Sequence, residues 1–212
     1  IVERLHISFA NSAKLHEHIK FLYDKGSTYK IFNSNLLIHA CIPIEEDGTF
    51  TKIKVLGKEL EGKELLDYLD KIIIKAYFTN DKEARDYMWY LWCGKDSPFF
   101  GKDKMTTFER YFIDDKETHK ENKIPYYKSI VKKENCEKIL KAFGIEDEFS
   151  HIINGHTPVK SKDGETPVRA GGKLLIIDGG FAKAYREKTG KAGYTLSYNS
   201  RGLILNANNP LT

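Results

Sequence analysis

Apolar positions recur along this chain at two periods, one near 3.6 residues and one of two, and the chain switches between them. In residues 12–25, SAKLHEHIKFLYDK, Leu15, Ile19 and Leu22 share one helical face, with Ser12 placed as N-cap and Gly26 as the stop. Leu65, Leu66, Leu69, Ile72, Ile73 and Ala76 repeat that spacing and predict a helix from about Gly62 to Phe78. Asp81 stands where KEARDYMWYLWC needs an N-cap, and Tyr87, Met88, Leu91 and Trp92 form a face read as core. A further helical pattern, ENCEKILKAFG, ends at Gly144.

Between these lie short extended runs. TYKIF and NLLIHA flank the turn formers Asn33 and Ser34 and read as a hairpin or as neighbouring strands. EEDGTF is a turn before the alternating TKIKVLG. Beyond residue 150 come HIIN, KLLIID, GYTLSYN and GLILNA, with a helix expected at FAKAYREKT and ended by Gly190. Tyr194 and Tyr198 share a strand face and read as packing. Residues 94–127 are a loop-rich excursion with a short helix at most. Alternation of the two periods predicts a mixed α/β fold.

Composition narrows the picture. The chain has 212 residues, 41% hydrophobic, 30% charged and 12% aromatic, which supports a folded core and argues against disorder. That length suits one domain or a piece of a larger one. It begins at Ile1 and ends at Thr212 after NANNPL, and is expected to be an excised piece. No apolar run is long enough to span a bilayer and no signal peptide opens the chain, so a cytoplasmic location without membrane contact is expected. Cys41, Cys93 and Cys136 are odd in number and widely spaced, fitting neither a disulfide framework nor a thiolate zinc site. Net charge is +4, but residues 151–212 hold nine Lys/Arg against four Asp/Glu. Such an excess suits phosphate or a solvated surface, and aromatics are not interleaved as a nucleic-acid binder requires.

Two histidines end apolar runs in similar settings. In NLLIHACIP, His39 follows Leu36 to Ile38; in HIINGHTPVK, His156 follows Ile152 and Ile153 and Gly155, which is expected to let the backbone pass close to other groups. A strand end supports a ligand rigidly, and neutral imidazole binds zinc, iron and manganese. Taken alone, each reads as a satisfied core or turn residue, and two histidines do not complete a catalytic metal site. His6, His16, His18 and His119 read as surface residues, and His151 as a strand or supporting residue.

LLIHACIP resembles the strand-end histidine segment of calcineurin-like metallophosphatases, and NGHTPVK with LLIIDGG resembles the closing Gly-His-Thr segment of that superfamily. More specifically, HEHIKFLYDKGSTYKIFNSNLLIHACIP, GKDSPFFGKDKMTTFERYF and INGHTPVKSKDGETPVRAGGKLLIIDGGFAKAYREKTGKAGYTLSYNS resemble class III fructose-1,6-bisphosphatases of Firmicutes-type bacteria. The resemblance covers nearly the whole chain. It implies an α/β fold, the C-terminal half of a metallophosphatase-like αββα sandwich, with a family-specific helical and loop insertion at about 57–148. Residues 1–212 would then be the C-terminal part of one larger domain.

The same resemblance implies a binuclear manganese site that holds a phosphate ester and activates water for in-line attack. His39 and His156 match its two late histidine ligands. The superfamily's early Asp-x-His, Gly-Asp-x-x-Asp-Arg and Gly-Asn-His-Glu segments do not occur in this chain. The chain alone is therefore expected to be inactive, partnered by the earlier part of the same polypeptide. Its exposed apolar edge can recruit a second copy, so a homo-oligomer is one option. The substrate, a sugar bisphosphate, has a second phosphate. Lys160 and Arg169 are its candidate partners, with Lys95, Lys102, Lys104 and Arg110 behind them. Asp178 is read as orienting His156 or capping the following helix. Competing readings are a protein phosphatase, a dinucleoside polyphosphate hydrolase, or a non-catalytic module that binds an effector such as phosphoenolpyruvate or a nucleotide.

Overall fold

A computed structural model describes residues 1–179, 189–190 and 193–208. The helix expected at FAKAYREKT falls almost wholly outside the described residues. Within them the fold is mixed α/β, as the alternating periods predict.

Helices α1 (Val2–Ala10) and α2 (Ala13–Lys25) open the chain. The Ser12 hydroxyl accepts from Leu15 N at 3.4 Å, and the helix stops at Gly26. Strands β1 (Tyr29–Phe32) and β2 (Asn35–Ile38) follow as an antiparallel hairpin. Asn33 and Ser34 both take positive φ, 47° and 57°, the handedness that suits strand twist in a two-residue turn. Strands β3 (Ile53–Val55) and β4 (Lys58–Leu60) make a second small hairpin.

Helix α3 (Gly62–Phe78) buries Leu65, Leu66, Leu69, Ile72 and Ile73 on the predicted face. Its polar side grips the hairpin: Asp70 accepts from Thr28 N at 2.8 Å, and Asp67 accepts from the Tyr29 hydroxyl at 2.7 Å. Helix α4 (Lys82–Cys93) packs on α3 and is capped by Asp81, which accepts from Ala84 N at 2.8 Å. Of its predicted core face, Leu91 is fully buried and Tyr87 and Met88 are half-buried, but Trp92 is 65% exposed. In the excursion after Gly94, α5 (Thr107–Phe112) and a 3-10 turn at Lys116–His119 precede α6 (Tyr126–Ser129) and α7 (Lys133–Ala142).

The chain then returns to the first sheet. Strand β5 (Ile152–Asn154) pairs parallel with β2 and with β7 (Leu174–Ile176), and β6 (Val168–Arg169) pairs antiparallel with β7. The order β1-β2-β5-β7-β6 puts the three parallel strands in the middle, and β2, β5 and β7 are almost wholly buried apolar runs, as central parallel strands require. The hairpin of β8 (Gly193–Asn199) and β9 (Gly202–Asn208) is a separate two-stranded sheet, tied to the residue after β7 by Tyr194 N, which donates to the Ile177 carbonyl at 3.3 Å. On it Tyr194 packs against the core, whereas Tyr198 is 62% exposed and is not a packing residue.

Candidate metal centre

Strands β2, β5 and β7 are in register, with Ile38 opposite Asn154 and Asn154 opposite Ile176. Their carboxyl ends therefore open at one edge of the sheet, where the chain leaves as His39, as Gly155–His156 and as Ile177–Asp178. Parallel strands in open α/β sheets characteristically present ligand sites there, because rigid strand ends support diverging loops.

A buried amide holds this edge together. Asn154 is 2% exposed, and its Nδ2 lies 3.1, 3.0 and 3.1 Å from the carbonyl oxygens of Ile38, His39 and Ala40. Its Oδ1 accepts from the Tyr126 hydroxyl at 3.3 Å. One NH2 group thus serves three carbonyls at the bend after β2, where the ladder no longer does. Gly155 N adds contacts of 3.2 Å to the carbonyls of Ile38 and His39. A Cβ on Gly155 would come 3.5 Å from His39 Nδ1, an ordinary contact. The expected close approach occurs, but those atoms do not by themselves demand glycine.

His156 sits in the left-handed region at φ 68°, which costs a non-glycine residue roughly 1–2 kcal/mol. That turn brings its Nδ1 to 3.1 Å from His39 Nε2, with the rings at 78°. Its Nε2 lies 3.2 Å from the Phe100 carbonyl oxygen. A carbonyl only accepts, so Nε2 carries the N–H, and neutral His156 turns its Nδ1 lone pair toward His39. Burial lowers the His156 pKa first, with the His39 and Lys102 charges acting the same way; the Phe100 carbonyl and Asp178 oppose them. The neutral imidazole, the form that ligates, is favoured.

These features fit half of a metal centre. Two imidazoles converge from neighbouring strands, and one has its tautomer set by a backbone carbonyl, as metal-binding histidines usually do. Among the described residues, no cluster of three or more His, Cys, Asp or Glu could hold an ion. A cavity of about 460 Å³ borders both histidines and is walled mainly by Ile38, Cys41, Leu66, Phe99, Phe100 and Met105. Burial raises the pKa of the Cys41 thiol strongly, with Asp96 adding to it, so the group stays protonated. A separate cavity of about 390 Å³ lies between Tyr23, Tyr77, Trp89 and Trp92, with Arg85 as its one charged lining residue. It shares Trp92 with the first cavity, but neither imidazole lines it.

The other predicted residues make their bonds elsewhere than to the imidazoles. Asp178 is close enough for His156 to feel its charge, but its Oδ1 accepts from Gly179 N at 2.6 Å. Arg169 pairs with Glu165 at 2.9 Å, Lys160 N donates to the same carboxylate at 3.0 Å, and the Lys160 ammonium is 3.9 Å from Asp163. In the loop, Lys102 pairs with Glu121 at 2.5 Å, while Arg110 donates to the Thr106 hydroxyl and the His119 carbonyl. The Lys104 ammonium is 3.4 Å from the Thr118 carbonyl. His16 bonds Tyr77 and the Ala10 carbonyl, and His119 bonds two backbone carbonyls, as surface and loop histidines would. His151 bonds the Asn35 side chain at 2.9 Å, at the opposite end of β5 from the imidazole pair.

The sequence reading missed Asn154, the Phe100 carbonyl and Tyr127. A polar residue closing the buried run HIIN was a visible signal for the first. The second is a backbone group with no sequence signal. Tyr127 places its hydroxyl 3.4 Å from the Ala40 carbonyl.

Paired histidines at the carboxyl edge of a mixed sheet define an α/β protein with an imidazole site at its strand ends. The particular family is shown by comparison: the chain belongs to the Firmicute fructose-1,6-bisphosphatase family, whose model matches residues 1–212. It is 56% identical over 214 residues to the class 3 fructose-1,6-bisphosphatase 1 of Clostridium beijerinckii, covering 99% of this chain and 32% of that protein. Class 3 fructose-1,6-bisphosphatases of Clostridium botulinum and Clostridium tetani are also 56% identical, over 217 and 215 residues. In each case the chain spans 32% of the relative's length. No solved structure matches.

Proposed function

We propose that this chain supplies part of the active site of an enzyme that removes the 1-phosphate of fructose 1,6-bisphosphate, giving fructose 6-phosphate and phosphate for gluconeogenesis. The observation that carries the reading is the 3.1 Å approach of His156 Nδ1 to His39 Nε2, in a chain of this family. In this reading the β1-β2-β5-β7-β6 sheet is the C-terminal half of a metallophosphatase sandwich, and residues of about 57–148 are an insertion between its strands.

His39 and His156 would each give one imidazole nitrogen to a binuclear manganese centre. When bound, the ions would clamp the phosphate and make a water nucleophilic for in-line attack on phosphorus. The chain's own contribution is positional. Asn154 fixes the bend that carries His39, and the Phe100 carbonyl keeps the His156 proton on Nε2 and its lone pair directed at the site. Asp178 supplies a negative charge that supports a cationic centre, and Lys160 and Arg169 would meet the phosphate that is not cleaved. Carboxylate ligands and the remaining coordination would come from outside these residues, so the chain by itself is inactive. Three unpaired cysteines suit a cytoplasmic setting.

The test is manganese-dependent phosphate release from fructose 1,6-bisphosphate by a full-length polypeptide that carries this sequence, by its His156→Ala form, and by the chain alone. The reading expects activity in the first only. Undiminished release in His156→Ala would remove that histidine from the mechanism.

A further inference from the structure

Residues 97–101 bring the Phe100 carbonyl to His156, and their geometry is tied to the bend that carries His39. The loop is wound on Ser97, which is fully buried. The Ser97 carbonyl accepts from Phe100 N at 3.2 Å and from Gly101 N at 2.9 Å, while its hydroxyl donates to the Leu91 carbonyl at 2.5 Å and accepts from Phe99 N at 3.2 Å. Cys41, two residues after His39, fastens the bend to this loop: its N–H and its thiol both donate to the Pro98 carbonyl, at 3.1 and 3.3 Å. The loop ends at Gly101, whose φ of 65° lies in the left-handed region that favours glycine.

Tyr127 closes the other side of the same junction. Its hydroxyl donates to the Ala40 carbonyl at 3.4 Å, the oxygen that Asn154 Nδ2 also serves. Its ring stands edge-on to that of Tyr126, with centroids 5.4 Å apart, and the Tyr126 hydroxyl is held by Asn154. A Cβ on Gly101 would come 2.6 Å from the Tyr127 hydroxyl oxygen and 3.2 and 3.3 Å from ring carbons Cε2 and Cζ. The position therefore demands glycine twice, for its backbone and for its neighbour. Burial raises the Tyr127 phenol's pKa well above its ordinary 10, with Cys41 adding to the shift and Thr157 opposing it, so the hydroxyl stays a donor. At 3.4 Å the bond to Ala40 is long, and close packing against Gly101 is the stronger constraint.

We infer that Tyr127 and Gly101 are positioning residues for the imidazole pair: the Tyr127 hydroxyl, lodged between Gly101 and the Ala40 carbonyl, sets the Phe100 carbonyl that orients His156 against the bend that carries His39. The inference rests on the metal-centre reading, and neither residue touches metal or substrate in it. A methyl group at position 101 must push the phenol off Ala40 or push the loop, with the Phe100 carbonyl, away from His156.

The experiment uses the full-length polypeptide and its Gly101→Ala, Tyr127→Phe and doubly substituted forms, with thermal melting to confirm folding. The 15N signals of the His156 ring, identified by their loss in His156→Ala, report which nitrogen carries the proton before metal is added. Gly101→Ala should move them toward a mixture of the two neutral tautomers and weaken manganese binding in calorimetry roughly tenfold to hundredfold, the loss usual when a group that orients a ligand is disturbed. Tyr127→Phe alone should weaken binding less. The double form should bind manganese more tightly than Gly101→Ala, because the oxygen that the methyl group strikes is gone. Unchanged signals and affinity in Gly101→Ala, or a loss that the double form does not recover at all, would overturn the inference. Should Gly101→Ala not fold, Tyr127→Phe decides: altered His156 signals or weaker manganese binding supports the inference, and neither overturns it. If the unaltered polypeptide binds manganese no better than His156→Ala, the metal-centre reading fails, and the His156 signals alone then decide for or against the positioning role.

Discussion

The carboxyl edge of the sheet and the segment from Lys160 to Arg169 both gather polar groups, and they hold them in opposite ways. At the edge, one buried amide binds three carbonyls and leaves two imidazoles turned toward each other. In the segment, charges bind one another at the surface: the partly exposed Arg169 with Glu165, and the exposed Lys160 with Asp163. A buried neutral clamp fixes geometry, because leaving its partners unpaired is costly. Exposed ion pairs set local charge and add little to stability.

Three substitutions sharpen this contrast. Asn154→Ala should have the largest effect, about 2–4 kcal/mol of lost stability in urea denaturation, since it strips the donor from several carbonyls of the bend after β2 and leaves the Tyr126 hydroxyl without its acceptor. A loss under about 1 kcal/mol would mean that strand pairing alone holds the edge, and the contrast would dissolve. Glu165→Gln should cost about 1 kcal/mol or less by the same measurement, because the pair is partly solvated, with side chains 39% and 25% exposed. Here the contacts of Glu165 lower its pKa below the ordinary 4.5 despite the opposing effect of burial. The contribution is therefore complete above pH 4.5 and lost as the carboxylate protonates below it.

The smallest effect concerns the other end of β5. Burial holds His151 below its ordinary pKa of 6.5, Lys173 adding to the shift and Asp147 opposing it. The fold prefers the neutral ring, so its contribution is full above pH 6.5 and fades as pH falls through the lower folded value. His151→Gln should flatten stability against pH in the interval just below 6.5, and an unchanged slope there would place the titration elsewhere.

Much of this architecture is legible in sequence because its causes are local. Ser12, Asp81 and Gly26 mark helix ends within a few residues, and the apolar spacing from Leu65 to Ile73 states which side of α3 faces inward. The same spacing does not state what covers a face: Leu22 of α2 is 63% exposed and Trp92 of α4 is 65% exposed. His39 and His156 were recognisable as strand-end residues, and their family motif linked them. What makes them a pair is non-local. Asn154 bonds residues 114 to 116 positions earlier, and the Phe100 carbonyl is 56 positions from the ring it orients.

The most direct test is manganese binding by the full-length polypeptide, titrated by calorimetry with and without His39→Ala and His156→Ala. The account predicts that each substitution weakens one ion's binding by at least about tenfold while the protein stays folded, since neither ring is part of the core. Manganese affinity and stoichiometry unchanged in both variants would contradict it, leaving the imidazole pair as a surface contact.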